Sequence, residues 1–220
     1  MPELRRDGDV HVLNFGDDEN RFSLDWLKAV HAALDQVVAE PAPLVTIGAG
    51  KFYSNGLDLD WLLAHSTEAA EYVGRVHGLL ARMLVLPVPT VAAVNGHAFG
   101  AGAMLAMAHD FRLMRADRGF FCFPEVDIHI PFTPGMAALV QAKLTPAAAV
   151  ASMTTARRFG GPDAAAFGIV DGTAAPEELL GRALAVARPL AGKDSDTLGA
   201  IKATMFGSAT SALRDAGGAA

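Results

Sequence analysis

The sequence predicts an α/β fold with a parallel sheet, because segments with strand character alternate with segments of helical periodicity. "VHVLNF" (residues 10–15) alternates polar and apolar residues, and "SLDWLKAVHAALDQVVAE" (residues 23–40) follows with apolar residues at helical spacing behind an N-cap serine. The apolar strand "PLVTIGAG" (residues 43–50), a long helix over residues 66–86 and the strand "PTVAAVNG" (residues 89–96) continue the alternation. Parallel strands need such helical crossovers.

The rest of the chain predicts one further strand and then mostly helix. Residues 100–109 fit a short buried helix, residues 110–116 a strand, and residues 121–128 extended chain interrupted by Pro124. From residue 134 onward the sequence is nearly all helical, with a short strand in "GIVDGTA". Composition shifts toward alanine after Leu144, which indicates a helical C-terminal region without a clear linker.

Composition and charge exclude several classes of protein. Hydrophobic residues make up 51% of the 220 residues and charged residues 19%, which excludes disorder. No uninterrupted apolar run is long enough to cross a bilayer, and the N-terminal segment carries no export signal, so we expect a cytoplasmic protein without membrane contact. The net charge of −6 argues against binding to nucleic acid.

Cysteine and histidine give no sign of a metal or redox centre. The single cysteine, Cys122, lies in "FFCF" and is expected to be a buried, inert thiol. None of the seven histidines has a partner four residues away, and no C-x-x-C pair is present to complete a zinc site. The sequence predicts no metal.

The stretch "GKFYSNGLDL" (residues 50–59) joins a strand to the following segment through an Asn-Gly turn. It matches neither a phosphate-binding G-x-x-x-x-G-K-(S/T) loop nor a G-x-S-x-G nucleophile elbow. Glycine in the turn accepts a positive φ, so backbone N–H groups there can point away from the strand ladder. We therefore expect this stretch to act through its main chain.

A second glycine-containing segment, "GHAFGAGAMLAMAH" (residues 96–109), follows a buried strand. Its Gly-Ala-Gly sequence opens a helix, and the first N–H groups of a helix are unpaired and carry the positive end of its dipole. Such an end stabilises a developing negative charge on oxygen. By spacing alone, small residues that let a helix pack tightly on a sheet explain the pattern equally well.

Together these stretches resemble the crotonase superfamily, also called the enoyl-CoA hydratase/isomerase family. "GKFYSNGLDL" is similar to the family segment G-x-x-F-x-x-G-x-D-(L/I), and "PTVAAVNGHAFGAG" to P-x-I-A-x-(V/I)-x-G-x-(A/C)-x-G-G-G. "FPEVDI" is similar to the later F-x-x-P-E segment, and the resemblance spans residues 10–170 in order. It implies a spiral of ββα units with two roughly perpendicular sheets, followed by C-terminal helices that form a homotrimer or a dimer of trimers.

The resemblance also implies a core with an acyl-CoA site over residues 1–170 and a short helical C-terminal region over residues 171–220. The backbone N–H groups of Leu57 and Ala101 would form an oxyanion hole for the thioester carbonyl, and Glu125 would be the catalytic acid and base. CoA is then part of the substrate, and no separate cofactor is implied. The expected substrate-binding residues are Arg21, on the adenine and phosphate side, together with Ser54, Gly56, Gly100 and Met104.

The carboxylates distinguish between reactions of the family. Its hydratases use two glutamates, because adding water needs a base for the water and a proton donor for carbon. Here the first position is Met104 and only the second, Glu125, is a carboxylate. One carboxylate suffices to move a proton from C2 to C4, so the chain is most similar to monofunctional Δ3,Δ2-enoyl-CoA isomerases. A hydratase, a thioester hydrolase, a decarboxylase, or a non-catalytic or RNA-associated member of the fold stay as alternatives.

Overall fold

The computed structural model describes residues 1–215 and contains two β-sheets and ten α-helices within that range. The strands are β1 (Glu3–Asp7), β2 (Val10–Asn14), β3 (Leu44–Ile47), β4 (Phe52–Ser54), β5 (Thr90–Val94), β6 (His97–Phe99), β7 (Phe111–Arg115), β8 (Phe121–Cys122) and β9 (Gly172–Ala174). The larger sheet has the order β1-β2-β3-β5-β7-β9, and the smaller has the order β4-β6-β8.

The helices occupy the connections and most of the C-terminal third. They are α1 (Leu24–Ala39), α2 (Leu59–Ala64), α3 (Ala69–Leu84), α4 (Ala101–Met107), α5 (Pro134–Lys143), α6 (Pro146–Met153), α7 (Gly161–Ala166), α8 (Leu179–Ala187), α9 (Ser195–Met205) and α10 (Gly207–Arg214). Ser23 caps α1 by accepting a hydrogen bond from the Trp26 N–H, as the sequence predicts. None of the helices described has the length and apolar character that a bilayer span needs.

The larger sheet is covered on both faces, which explains why its central strands β3 and β5 are almost entirely apolar. All its neighbouring strands run parallel except β1 and β2, which form an antiparallel pair. One face carries Val12, Val45 and Val91 and packs against α8. The other belongs to the main core, which also contains buried residues of α1, α3 and α4.

The smaller sheet brings together the segments that follow its three strands. Its strands are parallel, with Phe52 opposite His97 and Phe99 opposite Cys122. Tyr53, Ala98 and Phe121 are fully buried and fix the sheet against the main core. Because the strands are parallel, the segments that follow β4, β6 and β8 all leave the sheet on the same side.

Three short strands and one turn differ from the sequence prediction. β1, β4 and β6 were not predicted, because three to five residues without clear alternation give little periodicity to detect. The predicted extended chain over residues 121–128 is wrong after β8. There the Pro124 carbonyl accepts hydrogen bonds from the N–H groups of Asp127 and Ile128, at 2.9 and 3.1 Å, so the chain turns directly at Glu125.

The C-terminal region is joined closely to the rest of the chain. β9 pairs with β7 in the larger sheet, so residues after 170 contribute a strand as well as helices. α10 packs against α3 and α5, and a Cβ on Gly135 would lie only 2.7 Å from the Ala212 carbonyl oxygen. The boundary at residue 170 stays a prediction, and residues 216–220 lie outside those described.

A buried ion pair ties α9 to the larger sheet. Lys202 is 3% exposed, and its Nζ donates to Asp110 Oδ2 at 2.6 Å. The same ammonium donates to the carbonyl oxygens of Leu86 and Val88, at 3.0 and 2.8 Å. The three acceptors satisfy the three donors of the buried charge.

We predict that Lys202→Met lowers the free energy of unfolding by about 2–3 kcal/mol, because the carboxylate of Asp110 and two carbonyls lose their common donor. Urea titration followed by circular dichroism at fixed protein concentration measures the difference. Lys193→Met removes an exposed lysine nine residues earlier and should change the value by less than about 0.5 kcal/mol. Equal effects of the two substitutions would contradict the structural role of Lys202.

Candidate active site

A cavity of about 300 Å³ opens at the edge of the smaller sheet, where β4, β6 and β8 end. Six of the eight residues predicted from the sequence line it: Arg21, Leu57, Gly100, Ala101, Met104 and Glu125. Ser54 and Gly56, predicted as substrate-binding residues, are not part of its wall. They lie directly behind it and shape the turn that carries Leu57.

The turn after β4 satisfies the main-chain donors on both sides of Leu57. The Gly56 N–H donates to Ser54 Oγ at 3.1 Å, and the Asp58 N–H donates to the Tyr72 hydroxyl at 2.8 Å. Tyr72 in turn donates to the carbonyl of Phe22 at 3.0 Å. No described residue accepts a hydrogen bond from the Leu57 N–H, which is therefore available to a ligand.

Gly56 lets this turn approach the start of α4 very closely. Its φ is +78°, and a Cβ there would lie 2.7 Å from the Phe99 carbonyl oxygen and 2.9 Å from the Ala101 nitrogen. A Cβ on Gly102 would lie 2.4 Å from the Ser54 carbonyl oxygen. The two glycines therefore permit the tight packing that small residues at this spacing suggested in the sequence. This packing brings the Leu57 and Ala101 segments together.

The first turn of α4 supplies the second set of free donors. Gly100 precedes the helix with φ +51° and ψ −124°, and it provides no side-chain cap. The first intrahelical bond runs from the Met104 N–H to the Gly100 carbonyl at 3.0 Å, and no described residue accepts from the Ala101 N–H. The positive end of the helix thus lies at the cavity wall.

Glu125 provides the carboxylate of the cavity. The residue is 8% exposed, and its Oε2 has no hydrogen-bond partner among residues 1–215. Its Oε1 lies 3.5 Å from the position that a Cβ on Gly100 would occupy. Burial raises the pKa of Glu125 to about 7, because the surrounding apolar atoms disfavour the charged form. A buried carboxyl that titrates near neutral pH is suited to proton transfer.

The remaining wall of the cavity is largely apolar. Met104 is 1% exposed and contributes an apolar thioether to this wall. Other apolar residues of the wall, which the sequence reasoning missed, are Leu59, Phe99, Pro124, Ile128, Ile130, Pro131 and Met136. The sequence did contain a signal for these wall residues. The irregular stretch after Glu125 is rich in apolar side chains, and apolar residues in a turn need a partner to pack against.

Cys122 also lines the cavity, but its thiol is not activated. The residue is 2% exposed, and its Sγ donates to the Ala156 carbonyl at 3.3 Å. Burial raises the pKa of the thiol to about 11, so the thiolate is scarce at neutral pH. No cluster of three or more His, Cys, Asp or Glu in the described part of the chain could hold a metal ion.

Arg21 lies at the mouth of the cavity, with its guanidinium engaged by acidic side chains. Its Nε donates to Glu19 at 2.5 Å and its Nη1 to Asp60 at 2.7 Å. Asp58 also caps α2, as its side chain accepts from the Trp61 N–H. Through its hydrogen bond with Asp60, Arg21 contacts the segment that follows Leu57.

Comparison with known proteins identifies the class of fold. A Pseudomonas syringae protein of the enoyl-CoA hydratase/isomerase family superposes with a TM-score of 0.92 at 29% identity, over 98% of this chain and 94% of that one. Human mitochondrial delta3-delta2-enoyl-CoA isomerase has the same fold, with a TM-score of 0.87 at 22% identity, over 96% of this chain and 85% of that one. The fold is crotonase-like, as the resemblance implied.

Sequence comparison then identifies the family. The enoyl-CoA hydratase/isomerase family model matches residues 7–217. Enoyl-CoA delta isomerase 3 of Arabidopsis thaliana is 38% identical over 186 residues, which are 79% of this chain and 77% of that protein. The chain belongs to the enoyl-CoA hydratase/isomerase family, which confirms the family predicted from the motifs.

We predict that the Glu125 carboxyl titrates with an apparent pKa of about 7, because its burial favours the protonated form. Carbon-13 NMR of protein labelled at the glutamate carboxyl carbons measures the value, and the Glu125→Gln variant assigns the resonance by its disappearance. A Glu125 carboxyl fully ionised at pH 5 would contradict the buried environment.

Proposed function

We propose that the chain is an enoyl-CoA delta isomerase that converts 3-enoyl-CoA into 2-trans-enoyl-CoA. The observation that carries this proposal is a single buried carboxyl, Glu125, in a cavity whose wall is largely apolar and includes free backbone donors. The similarity to plant proteins named enoyl-CoA delta isomerases supports the same reaction. An acyl-CoA thioester is the substrate class of this reaction.

In the proposed reaction, the N–H groups of Leu57 and Ala101 donate to the thioester oxygen. Glu125 removes a proton from C2, and the electron pair of the broken C–H bond delocalises into a dienolate. The protonated Glu125 then returns the proton to C4, which moves the double bond to C2–C3 and restores the carboxylate. Each aligned donor in a water-poor site can lower the barrier by about 3 kcal/mol.

The pKa of Glu125 suits both halves of this transfer. A carboxyl with a pKa of about 7 is a stronger base than an exposed glutamate, and a substantial fraction is still ionised at neutral pH. Once protonated, it donates readily to carbon. The same group therefore serves as base and as acid, and no prosthetic group is required; CoA enters only as part of the substrate.

Met104 disfavours hydration, the nearest alternative. Adding water across the double bond needs a group that orients and deprotonates the water while another group protonates carbon. The buried thioether of Met104 does neither. We therefore propose that the conjugated product leaves the site without being hydrated.

We also propose a homotrimeric assembly and a cytoplasmic location. Large apolar side chains are exposed on the C-terminal helices, with Val150 62%, Ile201 50% and Met205 66% exposed, and contact between copies would remove them from water. Light scattering after gel filtration measures the assembly. Cell fractionation tests the location, and a peroxisomal fraction would contradict it.

The proposed activity is tested with 3-hexenoyl-CoA. We expect the wild-type protein to form the conjugated 2-enoyl product and little 3-hydroxy product, and Glu125→Gln to lower the rate by about 10²- to 10⁴-fold, because the amide keeps the shape but loses the base. Absorbance of the conjugated thioester and chromatography of the products give both numbers. Near-normal turnover of Glu125→Gln would reject its role, and hydration as fast as isomerisation would favour a hydratase.

The oxyanion hole is tested at Ala101. Ala101→Gly keeps the backbone donor and should be mild, whereas Ala101→Pro removes it and should lower kcat by at least about 10²-fold. Proline is tolerated at the first helical position, so circular dichroism should show that both variants fold. If the glycine variant were as inactive as the proline variant, the side chain of Ala101 would carry the role.

A further inference from the structure

We propose that Arg21 is a positioning residue that holds the Leu57 turn at the correct distance from α4, and that it does not bind the phosphate groups of CoA. This inference rests on the proposed function and replaces the substrate-binding role expected from the resemblance. It follows from the partners of the guanidinium, from the main-chain pairing around it, and from the weak burial of α2.

The surroundings of Arg21 are unfavourable for a phosphate. Its guanidinium contacts Glu19 and Asp60, and its Nη1 lies 3.9 Å from Asp58 Oδ1. The hydrogen bond from Arg21 lowers the pKa of Glu19, which keeps that carboxylate ionised. Three carboxylates around one guanidinium give the cluster a net negative charge, which repels a polyanionic ligand.

The main chain of the same segment runs beside the turn. The Phe22 N–H donates to the Gly56 carbonyl and the Asn55 N–H donates to the Glu19 carbonyl, at 2.8 and 2.9 Å. The Asn55 side chain also donates to Glu19 Oε2 at 3.2 Å. The residues just before Leu57 are thus fixed to residues 19–22.

The Arg21 side chain fixes the residues just after Leu57. Through Asp60 and Asp58 it reaches the start of α2, while through Glu19 it reaches Asn55 on the other side of the turn. None of the residues of α2 is fully buried, and only Trp61 and Leu62 pack against the edge of the main core, so core packing holds this helix less firmly than it holds α4. The guanidinium therefore connects both sides of the Leu57 donor and limits its movement.

The expected consequence is a loss of turnover without a loss of CoA affinity. A donor displaced by about 1 Å can lower the rate by up to about 10²-fold, even when substrate binding is little changed. We expect Arg21→Gln to lower kcat about 10-fold and to leave KM within about twofold of the wild type. Arg21→Lys keeps the charge but cannot form both contacts equally well, so it should recover part of the loss.

The experiment compares 3-hexenoyl-CoA with the 3-hexenoyl thioester of pantetheine, which lacks the nucleotide. A positioning residue affects kcat for both substrates alike, whereas a phosphate contact affects KM for the CoA substrate alone. The Asp60→Asn variant distinguishes the two roles, because each role predicts a change in a different kinetic constant. Positioning predicts a lower kcat, while phosphate binding predicts a lower KM for the CoA substrate, because a negative charge is removed and Arg21 is released.

Arg75→Gln is the matched control, because Arg75 forms an exposed ion pair with Glu71 on α3, outside the cavity wall. It should leave both kinetic constants unchanged. Hydrogen exchange measured by mass spectrometry provides a readout independent of activity: exchange over residues 55–60 should become faster in Arg21→Gln only. Unchanged exchange and unchanged kcat would overturn the proposal. If the wild-type protein were inactive but its hydrogen exchange still responded to Arg21→Gln, the isomerase function would be rejected. The positioning role of Arg21 would be retained.

Discussion

The close approach between the Gly56 turn and the first turn of α4 is the constraint on which the candidate site depends. It brings free N–H groups from two distant parts of the sequence to one wall, and it leaves no room for a side chain at Gly56 or Gly102. Because the donors belong to the main chain, the nature of the side chains at Leu57 and Ala101 matters little to their chemistry. What matters is the backbone geometry that these glycines permit.

The apolar wall has two effects that reinforce each other. It excludes water from the carboxyl of Glu125 and so raises its pKa to about 7, and it strengthens every hydrogen bond made to a charged oxygen in the cavity. Met104 contributes to both effects. A second carboxylate at that position would be desolvated beside the first, and the mutual repulsion would raise the pKa of at least one of them.

The sequence predicted the cavity residues better than it predicted what supports them. Ala101 and Glu125 were predicted because each lies in a short motif that resembles a family segment. The supporting contacts join residues far apart, such as Tyr72 with Phe22 and Arg21 with Asp60, and no local spacing reports such pairs. Arg21 was predicted from the resemblance, but its acidic partners become visible only when the chain is folded.

The two donors of the proposed oxyanion hole are held in different ways. Ala101 begins a helix whose residues are all buried, so the main core fixes it. Leu57 only partly packs against the core and precedes a helix with no fully buried residue, so its position also depends on the Tyr72 hydroxyl, the residue 19–22 segment and ion pairs at the surface. Local stability is low where few apolar contacts are buried. Substitutions of the polar residues around the turn can therefore change the distance between the donors while the core stays intact. On this side of the cavity, small sequence changes can alter turnover without unfolding the protein.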